Sequence, residues 1–162
     1  MLDGNAILFI TERYGMRAHA SWGSLDDAML VFLNQDAYDK FRLSKEDYEL
    51  YKEANADRKK IAEKDSSKVK DVVVELKNIE DRIVRLTPNS SNMGSTLISK
   101  DGKTLYYLAS AEGGRNLWKM DLRKKETKLL HKVDAGWTSL EMDKEGKNLF
   151  ILNGKNMQKM NM

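Results

Sequence analysis

Asp101-Gly102-Lys103-Thr104-Leu105-Tyr106-Tyr107-Leu108 reads as a tight turn feeding a buried strand. Glycine after the acid reaches positive φ without a Cβ clash, which suits the turn. The unbroken apolar run suits a strand covered on both faces. The chain carries the pattern twice more, as Glu145-Gly146-Lys147-Asn148-Leu149-Phe150-Ile151-Leu152 and, at its start, as Asp3-Gly4-Asn5-Ala6-Ile7-Leu8-Phe9-Ile10. A repeat of this kind decides the fold before any single motif does.

Around the middle copy the chain reads as four short strands in a row. Thr96-Leu97-Ile98 comes first, then Leu105 to Ala109, then Asn116 to Leu122, then Thr127 to Val133, with turns at Asp101-Gly102, Glu112-Gly113-Gly114-Arg115 and Arg123-Lys124-Lys125-Glu126. A second round follows: Thr138 to Met142, Leu149 to Leu152, the hairpin signal Asn153-Gly154, and Asn156 to Met160. Gly102 and Gly146 stand 44 positions apart, the length of a four-stranded antiparallel propeller blade. Gly4 and Gly102 stand 98 apart, so the first round holds an insertion.

That first round has strands at Ile7 to Ile10 and at Asp27 to Leu33, separated by a mixed loop from Thr11 to Ser24. From Asn34 acids and bases interleave. Ser44-Lys45-Glu46-Asp47 is a capping box and starts a helix expected over residues 44–64. Strand character returns at Val69 to Leu76 and at Arg82 to Thr87, before a break at Pro88. The expectation is a mostly β fold, a partial β-propeller of two to three four-stranded antiparallel blades of about 40–45 residues each. Blade one spans about 1–87, interrupted by a helical insertion over 35–68 between its third and fourth strands. Blade two spans about 95–133, and an incomplete blade three about 138–162. By this count the first round opens at its second strand and the last lacks a fourth. The chain therefore reads as an excised piece of a larger propeller, with open faces and edges and a tendency to self-associate.

Composition narrows the functions. Twenty-eight bases against 25 acids give a net charge of only +3, spread along the chain, which does not point to nucleic acid. No apolar run is long enough to span a membrane, and Met1-Leu2-Asp3-Gly4 does not open a signal peptide. With no cysteine, disulfides and thiolate chemistry are excluded, and the compartment stays open. His19 and His131 are too far apart in sequence to read as a metal pair.

His19, Ser21 and Asp26 contain the residue types of a hydrolase triad. A triad is a geometry, and three such residues within eight positions read as a polar loop, with Trp22 wedging it against a neighbouring blade. Asp3, Asp101 and Asp143 sit at turns and read as turn hydrogen-bonders rather than calcium ligands. Gly113-Gly114 precedes no helix, so it is a hairpin turn and not a phosphate cradle. Tyr106, Tyr107, Trp118 and Trp137 read as inter-blade core, and His131 as an exposed residue of an edge strand. No catalytic residue, metal ligand or cofactor is assigned.

Three stretches carry a resemblance: Glu12-Arg13-Tyr14-Gly15-Met16-Arg17-Ala18-His19-Ala20-Ser21-Trp22-Gly23-Ser24, Ala37-Tyr38-Asp39-Lys40-Phe41-Arg42-Leu43-Ser44-Lys45-Glu46 and Ile79-Glu80-Asp81-Arg82-Ile83-Val84-Arg85-Leu86-Thr87. They resemble the propeller region of tricorn-type serine proteases, bacterial homologues above all. The resemblance implies a non-catalytic propeller stretch lying just before a PDZ-like and catalytic region. Its partners would be peptide substrates, which it helps channel, and the rest of the parent protease. It implies a cytoplasmic setting, or a periplasmic one if the parent carries a signal peptide. The family's catalytic serine and histidine lie in later domains, and none is carried over here. The alternative reading is a stand-alone β-propeller-type scaffold for a protein partner.

Overall fold

The computed structural model describes residues 4–17, 23–55, 71–111, 114–133 and 138–162. Three antiparallel sheets follow one another along the chain. The first holds β1 (Ala6–Thr11), β2 (Asp27–Phe32) and β3 (Ile83–Arg85); the second β4 (Met93–Ile98), β5 (Thr104–Ala111), β6 (Gly114–Asp121) and β7 (Thr127–Lys132); the third β8 (Thr138–Met142), β9 (Asn148–Asn153) and β10 (Asn156–Asn161). Within each sheet every strand pairs with its neighbour in sequence. The sheets stack face to face, and β4 packs against both β1 and β8. This is a partial β-propeller, mostly β, with three blades of three, four and three strands and a helical insertion in the first.

Strand β5 explains the stacking. Side chains alternate between the two faces of a strand. Leu105, Tyr107 and Ala109 join a core with Ala28, Leu30 and Phe32 of sheet one. Tyr106 and Leu108, between them, join Leu140, Leu149 and Ile151 of sheet three. The middle sheet is thus buried on both faces, which is why its strand is apolar without a break. In β9 only Leu149 and Ile151 turn inward, and Phe150 and Leu152 are half-buried on the far face.

The turns repeat with one exchange of roles. Gly102 and Gly146 both take positive φ, 70° and 73°. Asp101 Oδ1 accepts from the Lys103 amide at 3.1 Å and from the Ser99 hydroxyl at 2.6 Å. In the third sheet the equivalent of Ser99 is Asp143, two residues before Glu145, and its carboxylate takes the Lys147 amide at 2.7 Å. The two turns touch, with Lys100 Nζ donating to the Lys144 carbonyl at 2.9 Å.

The first sheet departs from expectation in two places. The insertion opens with a helix that capping-box reasoning passes over: α1 (Gln35–Arg42), capped by the Asn34 side chain accepting from the Ala37 amide at 2.9 Å. Tyr38 and Phe41 of α1 lie on Phe32, with ring centroids 5.7 and 4.9 Å away. The helix begun at Ser44 is α2 (Lys45–Ala54), whose capping hydroxyl takes the Asp47 amide at 3.0 Å. The remainder of the expected helix, from residue 56, lies outside the described residues, as do residues 69 and 70. The second departure is the strand expected over 69–76. Its described part, Asp71 to Leu76, joins no sheet, and Leu76 is 74% exposed. Glu75 N–H donates to the carbonyl of Leu33, just past the end of β2, at 2.8 Å. The strand after the insertion is β3 alone, preceded by a short 3-10 turn (Ile79–Arg82).

Candidate functional site

Two buried charges organise the first blade, and neither was singled out from the sequence. Asp27 has 0% exposure. Its Oδ1 accepts from Arg85 Nε at 2.9 Å and Thr87 Oγ1 at 2.8 Å, and its Oδ2 from Ser90 Oγ at 2.8 Å. Such a carboxylate is tolerated inside because both its oxygens accept hydrogen bonds and a guanidinium pairs with it. Arg82 is buried with no acid beside it and is satisfied by carbonyl oxygens instead: Phe32 at 3.2 Å, Lys77 at 3.0 Å, and Glu75. It ties the 75–78 stretch to the end of β2.

Arg123, in the turn between β6 and β7, does the same for the insertion. Its guanidinium donates to the carbonyls of Phe41 and Leu43 at 2.8 Å each and Lys40 at 2.9 Å. Those are the free carbonyls at the end of α1, where a cation is favoured. Its face lies 3.9 Å from the Tyr48 ring centroid of α2. Asp121 fixes the turn itself, accepting from the Arg123 and Lys124 amides at 2.9 Å each. Those bonds, the Lys124 amide first, hold the Asp121 carboxyl below its ordinary pKa against the opposing effect of burial.

Between this turn, α1 and β3 lies a cleft of about 550 Å³. Tyr38, Phe41, Ile83, Val84 and Leu122 give it apolar walls. Arg42, Arg85, Arg123 and Lys125 give it four cations, and among the described residues no carboxylate lines it. The residues come from positions 38–44, 83–85 and 122–125, which only the blade stacking brings together.

The residues weighed from the sequence are placed as follows. Asp3, His19, Ser21, Trp22, Gly113 and Trp137 lie outside the described residues. Asp26 pairs by its backbone with Ser91 at 2.8 and 3.0 Å, joining the first sheet to the segment before β4. Gly15 sits in a loop that folds back on itself; a Cβ there would meet the Leu25 carbonyl oxygen at 1.6 Å, so only glycine fits. Tyr107 and Trp118 are in the core between sheets one and two, and Tyr106 in the core between two and three. His131 is half-buried on β7, opposite Leu117 and beside a register shift in the β6–β7 pairing, rather than fully exposed.

The outer faces of the stack are the other candidate surface. On the first sheet Ile7 (43% exposed), Phe9 and Val31 face away from the core. On the third, Phe150, Leu152 and Met157 (64% exposed) do. Phe150 and Leu152 occupy the repeat positions of Tyr106 and Leu108, which a following sheet covers.

No family model matches the sequence, and no curated protein matches it. Among solved structures, TolB from Acinetobacter baumannii is similar, with a TM-score of 0.47 and 16% identity over 83% of this chain and 23% of that one. The chain thus spans about a quarter of the length of that structure.

Proposed function

We propose that the chain is a non-catalytic propeller segment of a tricorn-like serine protease, serving substrate access and assembly in peptide degradation. The observation that carries the reading is the set of three stretches, Glu12 to Ser24, Ala37 to Glu46 and Ile79 to Thr87, which resemble that family's propeller region. Stacked blades with apolar outer faces support it, since blades bury such faces against neighbours. The catalytic residues of the parent would lie outside this chain, and the outer faces would meet further blades or, in the isolated chain, a second copy.

Peptide hydrolysis by the purified chain and by the parent protein tests this. The chain alone should leave fluorogenic peptides intact. The parent with this span deleted should lose turnover of long peptides more than of short ones. Hydrolysis by the chain itself that vanishes on His19→Ala would overturn the reading. The scaffold reading, a stand-alone module gripping a protein partner, draws on the same outer faces.

A further inference from the structure

We infer that the cleft between α1, β3 and the β6–β7 turn binds an organic carboxylate that carries an apolar or aromatic group. Of the four cations lining the cleft, two are committed elsewhere: Arg85 to Asp27 and Ser90, and Arg123 to the carbonyls that end α1. Arg42 and Lys125 are not. Among the described residues neither has a hydrogen-bond acceptor, and each lies over a ring, Arg42 at 5.4 Å from the Tyr38 centroid and Lys125 at 5.2 Å from that of Phe41. Two cations held over aromatic faces, with donors unspent and no acid in the lining, make a receptor for one anionic group.

Burial, and then the charge of Arg123, push the Lys125 ammonium below its ordinary pKa. An anion in the cleft offsets the repulsion between Arg123 and Lys125. Lys125 is also fixed in place. Its backbone is left-handed, φ 60°, and its amide donates to the Asp121 carbonyl at 2.9 Å. The walls supply the rest of the specificity. Phe41 and Val84 offer a surface that bare phosphate does not use and an aromatic or aliphatic body does. The start of α2 is not counted, because the Ser44 hydroxyl is bound to Asp47.

The test is titration of the whole chain, followed by the backbone amide resonances of residues 40–44 and 122–126. The probes are N-acetylphenylalanine, its uncharged amide and inorganic phosphate. The carboxylate should bind, and the amide and phosphate should bind about tenfold more weakly or worse. Lys125→Asn removes the ammonium at a backbone conformation asparagine tolerates and should weaken the carboxylate about tenfold, with Arg42→Gln doing the same. Lys159→Asn, on the third sheet, should change nothing. If Lys125→Asn fails to fold, Arg42→Gln decides. Equal binding of acid and amide, equal binding of phosphate, or unchanged affinity in a folded variant overturns the inference.

Discussion

At the scale of single residues, the buried Asp27 carboxylate ties the first blade together. It joins β2 to β3 and to the 87–90 stretch through three donated hydrogen bonds, and it has no access to water. Asp27→Ala leaves Arg85 without its acid and takes from the Thr87 and Ser90 hydroxyls their shared acceptor, so it should cost about 3 kcal/mol. In urea the midpoint should fall with the slope unchanged; a loss under about 1 kcal/mol would show that the network is not a clamp. Asp121 sets a pH dependence. Its folded pKa lies below the ordinary 3.8, so the unfolded chain takes the proton more readily. Its contribution is present above the ordinary value and lost as pH falls from about 4 toward the folded value. Unfolding at a series of pH values should show that loss, and Asp121→Asn should reduce it; an identical pH profile would refute it. Neither residue was visible in the sequence as important. Asp27 finds its partners 58 to 63 positions away, and no local pattern signals such a pairing.

At the scale of elements, legibility followed the neighbours. The middle sheet was readable strand by strand because both its faces are covered, which writes a continuous apolar run, and because Asp101-Gly102 marks its turn. The insertion was less so. Ser44 announces α2 through its own local bond to Asp47, whereas α1 is held largely from outside, by Phe32 beneath it and Arg123 at its end. Val72, Val73 and Val74 have the composition of a strand, yet they join no sheet and stay exposed. The cleft was illegible for the same reason, since it is assembled from three distant stretches. Burial on two faces against one is measurable. Leu108 is fully buried and Leu152, its repeat counterpart, faces outward. Leu108→Ala should cost about 3 kcal/mol and Leu152→Ala under about 1 kcal/mol at low protein concentration. Equal losses by calorimetry would contradict the assignment of inner and outer faces.

At the scale of the whole molecule, the stack has a covered middle and two apolar ends. Ile7 and Phe9 at one end, and Phe150, Leu152 and Met157 at the other, stand where further sheets would pack. The isolated chain should self-associate as its concentration rises, and Leu152→Lys should suppress it; light scattering that reads a monomer at millimolar concentration would remove this support. If the chain is a propeller segment of a tricorn-like protease, as proposed, further blades cover those ends, and that proposal is open to one direct check. The measurement is the sequence of the natural reading frame on both sides of this span. The account expects further propeller repeats before Met1 and a PDZ-like and serine-hydrolase region after Met162. A frame that closes directly after Met162 with no such region would contradict it.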